Sequence, residues 1–188
     1  MKTSQALPVC ALLGSLFLTA ASTVEPVTLF GRPYRLASYN QKANAMWEFA
    51  APNETVANWT TLFTIVDRPD ARTRPDLDRL AQGILDAYRA NGGKVLLAKT
   101  MGAATGTPYN YIVVAFDQPA QKRFELNFVK AALGPKNAYM AIYGVRVTDP
   151  KDYAAKAKAF LNERSTEIGK ELENKKLPAL ETLPRREF

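Results

Sequence analysis

Carboxylates are the main side chains able to do chemistry in this chain. The 188-residue sequence contains no histidine, and its single cysteine is Cys10. A Ser-His-Asp triad lacks its base without histidine, and a zinc site lacks the nitrogen and sulfur ligands that zinc prefers. The GAATG segment at 102–106 is not followed by the Gly-Lys-Ser/Thr of a phosphate-binding loop. The composition therefore predicts neither a metal site nor a cofactor.

A carboxylate-dependent hydrolase is the enzymatic alternative, because glycoside hydrolysis needs only two acids about 5–10 Å apart. The acids on predicted strands are Glu48, Asp67, Asp117 and Glu125. Only Glu125 is expected on a covered surface of the sheet, and one acid does not make a pair. We therefore predict a non-enzymatic protein and rank the hydrolase last.

A small polar ligand is the second functional hypothesis, and it centres on Glu125. The candidate ligand-binding residues, expected to line a cleft between sheet and helix, are Tyr109, Tyr111, Glu125, Asn127 and Arg146. The alternative interpretation is a plain cross-strand ion pair between Glu125 and Arg146, worth about 0.2–1 kcal/mol.

A protein partner is the leading functional hypothesis. The candidate partner-binding residues are Trp47, Trp59, Arg68, Arg72 and Arg74, since tryptophan and arginine are enriched at interface hot spots. The alternative is that the tryptophans belong to the core and that the arginines form a solvated loop with nearby aspartates. The formal net charge of +7 favours anionic partners, but the bases are scattered, so we predict no nucleic-acid binding.

The first 22 residues have the pattern of a cleavable signal peptide. Lys2 precedes an apolar run at 11–18 that is too short to span a bilayer, and small residues follow at 19–22. The expected location is the periplasm or the outside of the cell, with no transmembrane helix in the mature chain. Cleavage also removes Cys10, so the mature chain carries no disulfide.

The remaining chain has the pattern of one α+β domain. Short extended pieces at 27–36 indicate a hairpin or arm, and strands are predicted at 46–50, 59–67, 94–100, 109–116, 122–130 and 139–147. Apolar residues at helical spacing predict a helix over 74–90 that ends at Asn91-Gly92-Gly93. A second helix is expected from Thr148-Asp149-Pro150 to about residue 172.

The short links after residue 94 permit only antiparallel neighbours. One predicted face carries Ile112, Val114, Phe116, Phe124, Leu126 and Phe128, and the other carries the candidate ligand-binding residues. Because the second face is still largely apolar, we expect an antiparallel sheet of about six strands with a helix packed on each face. This α/β/α sandwich would span residues 23–172, followed by a flexible tail at 173–188.

The order of these elements resembles the PsbP-like α/β/α superfamily, which includes exported bacterial proteins of the DcrB type. The best local anchors are WEFAAPNETVANWTTLFTIV, YNYIVVAF and the Thr148-Asp149-Pro150 helix start. The resemblance covers about residues 46–172 and brings no catalytic motif. It implies an accessory or binding role, so the sequence as a whole predicts protein–protein association in the bacterial envelope, with a small-ligand carrier as the alternative.

Overall fold

The computed structural model describes residues 25–41, 44–102 and 107–185. The predicted signal peptide at 1–22, including Cys10, lies outside the described residues. No helix in the described ranges is long and apolar enough to cross a membrane.

The protein is an α+β protein built on one antiparallel sheet. Its strands are β1 (Val27–Leu29), β2 (Arg32–Asn40), β3 (Met46–Ala50), β4 (Thr61–Arg68), β5 (Lys94–Met101), β6 (Tyr109–Gln118), β7 (Arg123–Leu133) and β8 (Ala138–Thr148). They are arranged in the order β1-β2-β3-β4-β8-β7-β6-β5. The described sheet therefore has eight strands and not about six, because the predicted hairpin or arm at 27–36 extends the sheet through β2, which pairs with β3.

The helix α1 (Arg74–Ala90) confirms the prediction over 74–90. Thr73 caps it, and the Thr73 and Asp76 side chains form a reciprocal capping box that satisfies free backbone N–H groups of the first turn. The chain leaves the helix through Gly92, whose φ of +80° is accessible to glycine without strain. The buried residues Leu77, Leu80 and Ile84 recur on one side of the helix, so α1 turns an apolar stripe to the sheet.

The second helix, α2 (Tyr153–Asn174), begins later than predicted. Its N-cap is Asp152, which accepts a hydrogen bond from the Ala155 amide, while Thr148 still belongs to β8. Asp149 instead accepts bonds from the amides of Lys151 and Asp152 in the turn before the helix. The predicted cap therefore lies one turn too early, because the aspartate nearest the helix is the one that satisfies its first amides.

The segment after α2 lies against the body of the protein up to Arg185. Leu183 is 4 % exposed and belongs to the main core cluster, and the Trp47 indole N–H donates to the Pro184 carbonyl oxygen at 2.8 Å. A short 3₁₀ turn, Leu180–Thr182, lies between α2 and these contacts. The structure shows the contacts of Leu183 and Pro184 with the core, but it does not measure motion. The predicted flexibility of residues 173–188 therefore stays a prediction.

The strand register separates two sets of core side chains. Successive residues of a strand point to opposite sides, and cross-strand partners point to the same side. Ile112, Val129 and Met140 pack in one cluster with the buried side chains of α1. Val113, Phe128 and Tyr143 pack in another cluster with Ile168 and Leu172 of α2.

Candidate functional site

A cleft lies between α1 and the sheet, and we call it the α1 cleft. Its volume is about 750 Å³, within the range typical of small-molecule sites. The side chains and backbone that line it come from α1 and its C-cap, from strands β4, β6, β7 and β8, and from the turn after β4. They are Arg68, Asp70, Ala71, Asp76, Arg79, Leu80, Gly83, Ile84, Ala87, Tyr88, Asn91, Phe116, Glu125, Asn127 and Met140.

The sheet side of the α1 cleft is polar at Glu125 and Asn127. Glu125 is directly opposite Arg146 in the β7–β8 register, and Arg146 Nε donates to Glu125 Oε2 at 3.3 Å. Both side chains of this ion pair are only about a fifth exposed, at 17 % for Arg146 and 20 % for Glu125. The Asn127 amide makes no hydrogen bond to the other described residues, so it is free to bind a group inside the cleft.

Trp59 holds the guanidinium of Arg146 in place. The centre of the guanidinium lies 3.8 Å from the centroid of the Trp59 ring, a close cation–π contact. The ring also covers Gly144, where an added Cβ would lie 3.1 Å from Trp59 Cη2 and 3.3 Å from Asn127 Oδ1. A glycine here thus lets the indole approach the sheet, and the indole and the carboxylate of Glu125 together fix Arg146.

The helix side of the α1 cleft is apolar in its centre and charged at its rim. Tyr88 stacks edge-on against Phe116, with the ring centroids 5.7 Å apart. Burial, with a smaller contribution from the nearby Glu125 carboxylate, raises the pKa of Tyr88 to about 12. The Tyr88 hydroxyl thus carries its proton at neutral pH, as an unshifted tyrosine also would, and it can donate a hydrogen bond to a ligand in the cleft.

Two ion pairs occupy the rim of the α1 cleft. Arg68 donates to both carboxylate oxygens of Asp70, at 2.9 and 2.7 Å, and these bonds hold the pKa of Asp70 below its ordinary value. Arg79 pairs with Asp76 one helical turn away. These rim charges are paired with each other. The polar groups left for a ligand are the Asn127 amide and Oε1 of Glu125, because the bond from Arg146 goes to Oε2.

The structure brings together three of the five predicted ligand-binding residues. Glu125, Asn127 and Arg146 share one side of the sheet, whereas Tyr109 and Tyr111 lie on the other side, in the core cluster of α2. The predicted grouping was wrong by one residue of register between β6 and β7: Phe116 pairs with Glu125, and the turn between these strands places Lys122 at a left-handed φ of 49°. A slip of one residue moves a whole strand's side chains to the opposite face.

The predicted partner-binding residues are buried or engaged within the chain. Trp47 is fully buried and Trp59 is 8 % exposed, so both are core residues. Arg68 is held by Asp70, Arg74 pairs with Asp78 at 2.8 Å, and Arg72 Nε donates to the Pro69 carbonyl oxygen at 3.3 Å. These contacts favour the alternative interpretation, in which both tryptophans belong to the core and the arginines form a loop of mixed charge with nearby aspartates.

The other acids considered for a hydrolase lie apart from Glu125. Asp67 and Asp117 alternate to the opposite side of the sheet, where Asn137 and Tyr153 donate to them, respectively. Glu48 is on β3, which β4 and β8 separate from β7. Across the described ranges, no three acidic, histidine or cysteine side chains are grouped to hold a metal ion.

The sequence interpretation missed the helix side of the site. The sequence pattern predicts no binding role for Tyr88, and it places Asn91 only at the end of the helix. The feature of the sequence that could indicate them is the presence of two polar groups, the Tyr88 hydroxyl and the Asn91 amide, at the C-terminal end of the apolar face of α1. The sequence cannot show that these residues lie on the same cleft as Glu125. Their position depends on the packing of α1 against the side of β7 that carries Glu125.

The chain matches no protein-family profile and no curated protein. The PsbP-like resemblance therefore stays a prediction from the order of strands and helices.

Proposed function

We propose that this protein is an exported, non-enzymatic binding protein that carries a small polar ligand in the α1 cleft. The α1 cleft itself is the observation that carries the proposal, since it combines an adequate volume with an apolar wall and two polar groups. The apolar side chains of Leu80, Ile84 and Met140 suit a hydrocarbon portion of the ligand. The Glu125 carboxylate and the Asn127 amide suit a polar group that donates hydrogen bonds.

The ion pair with Arg146 supports a binding role for Glu125 more than a catalytic one. The bond from Arg146 goes to Oε2 of Glu125 and holds the side chain in an ion pair. Oε1 has no hydrogen bond among the described residues, so a ligand can donate to this carboxylate. Trp59 and Arg146 keep it in one orientation, which reduces the ordering cost of binding.

We also propose the bacterial envelope as its location and an α/β/α sandwich of the PsbP-like kind as its architecture. The signal-peptide pattern at 1–22 supports the location. The two separate core clusters, one with α1 and one with α2, support a helix on each side of the sheet. Association with an envelope protein through Arg68, Arg72, Arg74 and the tryptophans receives less support, because these side chains have partners inside the chain.

Native mass spectrometry of the protein purified from the periplasm of the expressing bacterium tests the ligand. We expect a small-molecule mass on the wild type, absent from Gly83→Phe, because Gly83 lines the α1 cleft and has no atom within 4 Å of an added Cβ. Glu125→Gln should weaken binding of the released ligand about tenfold. The matched control is Glu163→Gln on the exposed side of α2, which should leave the bound mass unchanged.

Two results would contradict the proposal. One is a wild-type protein that carries no small molecule from the periplasm and binds none in a metabolite screen. The other is a bound mass that Gly83→Phe retains while the variant keeps the wild-type circular dichroism spectrum, since the ligand would then lie elsewhere.

A further inference from the structure

The strand β5 forms one edge of the sheet, and its outer side pairs with no described strand. Leu96 is 41 % exposed and Leu97 is 37 % exposed, and within the described ranges no other large hydrophobic side chain is as open to solvent. Two adjacent exposed leucines on an open edge are unusual, because open edges invite pairing with other chains and proteins guard against it.

A groove runs beside this edge, between the sheet and the first half of α2. Its volume is about 460 Å³, and we call it the β5 groove. The apolar side chains that line it include Leu96, Ala115, Phe124, Leu126, Ala157 and Leu161. The sheet contacts of α2 are mainly with β7 and β8, so the helix leaves β5 and this groove uncovered.

Lysines surround the β5 groove. Lys94 and Lys158 line it, and Lys99 follows on the same strand. All three are exposed, and none makes a salt bridge with another described residue. Asp117 is the acidic residue in the lining, and it accepts a hydrogen bond from the Tyr153 hydroxyl at 3.2 Å. The groove therefore presents an apolar floor with unpaired positive charge around it.

Edge lysines and a bulge also serve to prevent aggregation, and β5 has both, with its register shift between Val95 and Leu97. That role alone does not account for Leu96 and Leu97, since an edge protected from pairing gains nothing from exposed leucines. The lysines are therefore better explained as selecting a partner of opposite charge.

A second copy of this chain would bring the same positive charge to the edge. Antiparallel pairing of two β5 strands about a two-fold axis between Leu96 and Leu97 places Lys94 of each copy opposite Lys99 of the other. Like charges directly opposite in a sheet destabilise the pair. A strand that carries carboxylates at these positions instead forms favourable cross-strand pairs.

We propose that the β5 edge binds an extended acidic segment of a partner protein. The segment adds to the sheet as a further antiparallel or parallel strand, and its main chain bonds to the free N–H and C=O groups of β5. Every second residue of the segment faces the β5 groove. Among these residues an apolar side chain enters the groove beside Leu96, and the carboxylates that precede and follow it on the same side meet Lys94, Lys99 and Lys158. This surface is independent of the ligand proposed for the α1 cleft.

Fluorescence anisotropy with labelled synthetic peptides tests the proposal on the full mature protein. The probe repeats Glu-Thr-Val-Thr, so that glutamate and valine alternate on one side of the strand. One matched peptide has lysine in place of glutamate, and another keeps the glutamates but has proline at its centre, which removes a strand hydrogen bond. We expect the acidic peptide to bind at least about tenfold more tightly than either matched peptide.

Protein variants then locate the binding surface. Lys94→Glu with Lys99→Glu should reverse the preference toward the lysine peptide, and Leu96→Ser should weaken the acidic peptide about tenfold. The matched control reverses two exposed lysines at the other end of α2, Lys170→Glu with Lys176→Glu, and should leave the affinity within about twofold of wild type. Circular dichroism confirms that each variant is folded.

Several results would overturn the proposal. Absence of binding up to about 1 mM peptide, equal binding of the acidic and lysine peptides, or an equal effect of the two charge-reversal variants would each do so. Self-association in sedimentation experiments that Leu96→Ser abolishes would show that a second copy occupies the edge instead.

Discussion

At the scale of the residue, Lys130 shows how a charge in the core can serve the fold. Its side chain is buried, and Nζ donates to the carbonyl oxygens of Leu172 and Glu173, at 2.9 Å each. It also lies 5.1 Å from the centroid of the Tyr109 ring. Burial lowers the pKa of Lys130, yet the last carbonyls of a helix are unsatisfied groups with partial negative charge. Lys130 thus joins β7 to the end of α2.

Replacing Lys130 by methionine should destabilise the protein although the side chain keeps a similar length. The carbonyl oxygens of Leu172 and Glu173 would lose their donor, at a cost of about 1–3 kcal/mol in the free energy of unfolding. Urea denaturation measures this difference. The control is Lys170→Met, an exposed lysine on α2, which should change the free energy by less than about 0.5 kcal/mol. Equal stability of the two variants would contradict the role given to Lys130.

At the scale of the element, two glycines near α1 should respond to alanine with opposite signs. Gly83 lies inside the helix with nothing within 4 Å of an added Cβ, so Gly83→Ala should stabilise the protein by about 0.5–1 kcal/mol. At Gly93 the added Cβ would lie 2.8 Å from Val114 Cγ1 and 2.9 Å from the Tyr88 carbonyl oxygen. Gly93→Ala should therefore destabilise by about 1–3 kcal/mol. Thermal and urea unfolding check both signs, and destabilisation by both variants would mean that α1 lies closer to the sheet than described.

The start of α1 should make stability depend on pH in the acid range. Hydrogen bonds from the Thr73 hydroxyl and from the backbone amides of Arg72 and Thr73 lower the pKa of Asp76 from 3.8 to about 2. The pKa of Asp76 is lower in the folded state than its ordinary value of 3.8. The stabilisation by the charged carboxylate is therefore fully present above pH 3.8 and is lost as pH falls through about 2. The stability difference between wild type and Asp76→Asn should therefore shrink between these values, as measured by urea unfolding at each pH. A difference that does not change with pH would contradict the capping role.

Local signals account for what the sequence predicted well at this scale. The cap at Thr73, Pro75 and the Asn91-Gly92-Gly93 stop lie within a few residues of the ends of α1, and its predicted bounds are confirmed. The strands of the β5–β8 meander were also found, because their β-branched and aromatic runs are local features. By contrast, the addition of β1 and β2 to the sheet depends on pairing between β2 and β3, which composition alone does not decide.

The site was predicted less well because it depends on register. The ion pair of Glu125 and Arg146 was expected, and the structure places the two residues directly opposite each other. Tyr109 and Tyr111 were assigned to the wrong side, since the turn at 119–122 pairs Gln118 with Arg123 and so places Phe116 opposite Glu125. Lys122 in this turn has a left-handed φ of 49°. A lysine gives no sign of positive φ in a sequence, so this turn could not be read from residue types.

At the scale of the whole molecule, the two proposed surfaces use different sides of the sheet. The α1 cleft lies on the side of Glu125 and Asn127, and the β5 groove lies on the side of Phe124 and Leu126. The formal net charge of +7 includes Lys2 of the predicted signal peptide, so the mature chain would carry +6. Such a charge speeds encounter with acidic partners at low ionic strength, and association at the β5 edge should weaken as salt is added.

The segment after α2 should contribute to stability of the whole molecule through Trp47. Removal of residues 175–188 would expose the fully buried Trp47 indole, free its N–H from the Pro184 carbonyl oxygen, and take Leu183 out of the core. We expect a loss of more than about 2 kcal/mol in the free energy of unfolding and a red shift of tryptophan emission, both measured in a Trp59→Phe background that isolates Trp47. Removal of 186–188 alone is the control, because it keeps Leu183 and Pro184. Unchanged emission and stability after the longer truncation would show that the segment does not remain on Trp47 in solution. Binding of peptides at the β5 edge should survive that truncation, because none of the residues that line the β5 groove belongs to 175–188.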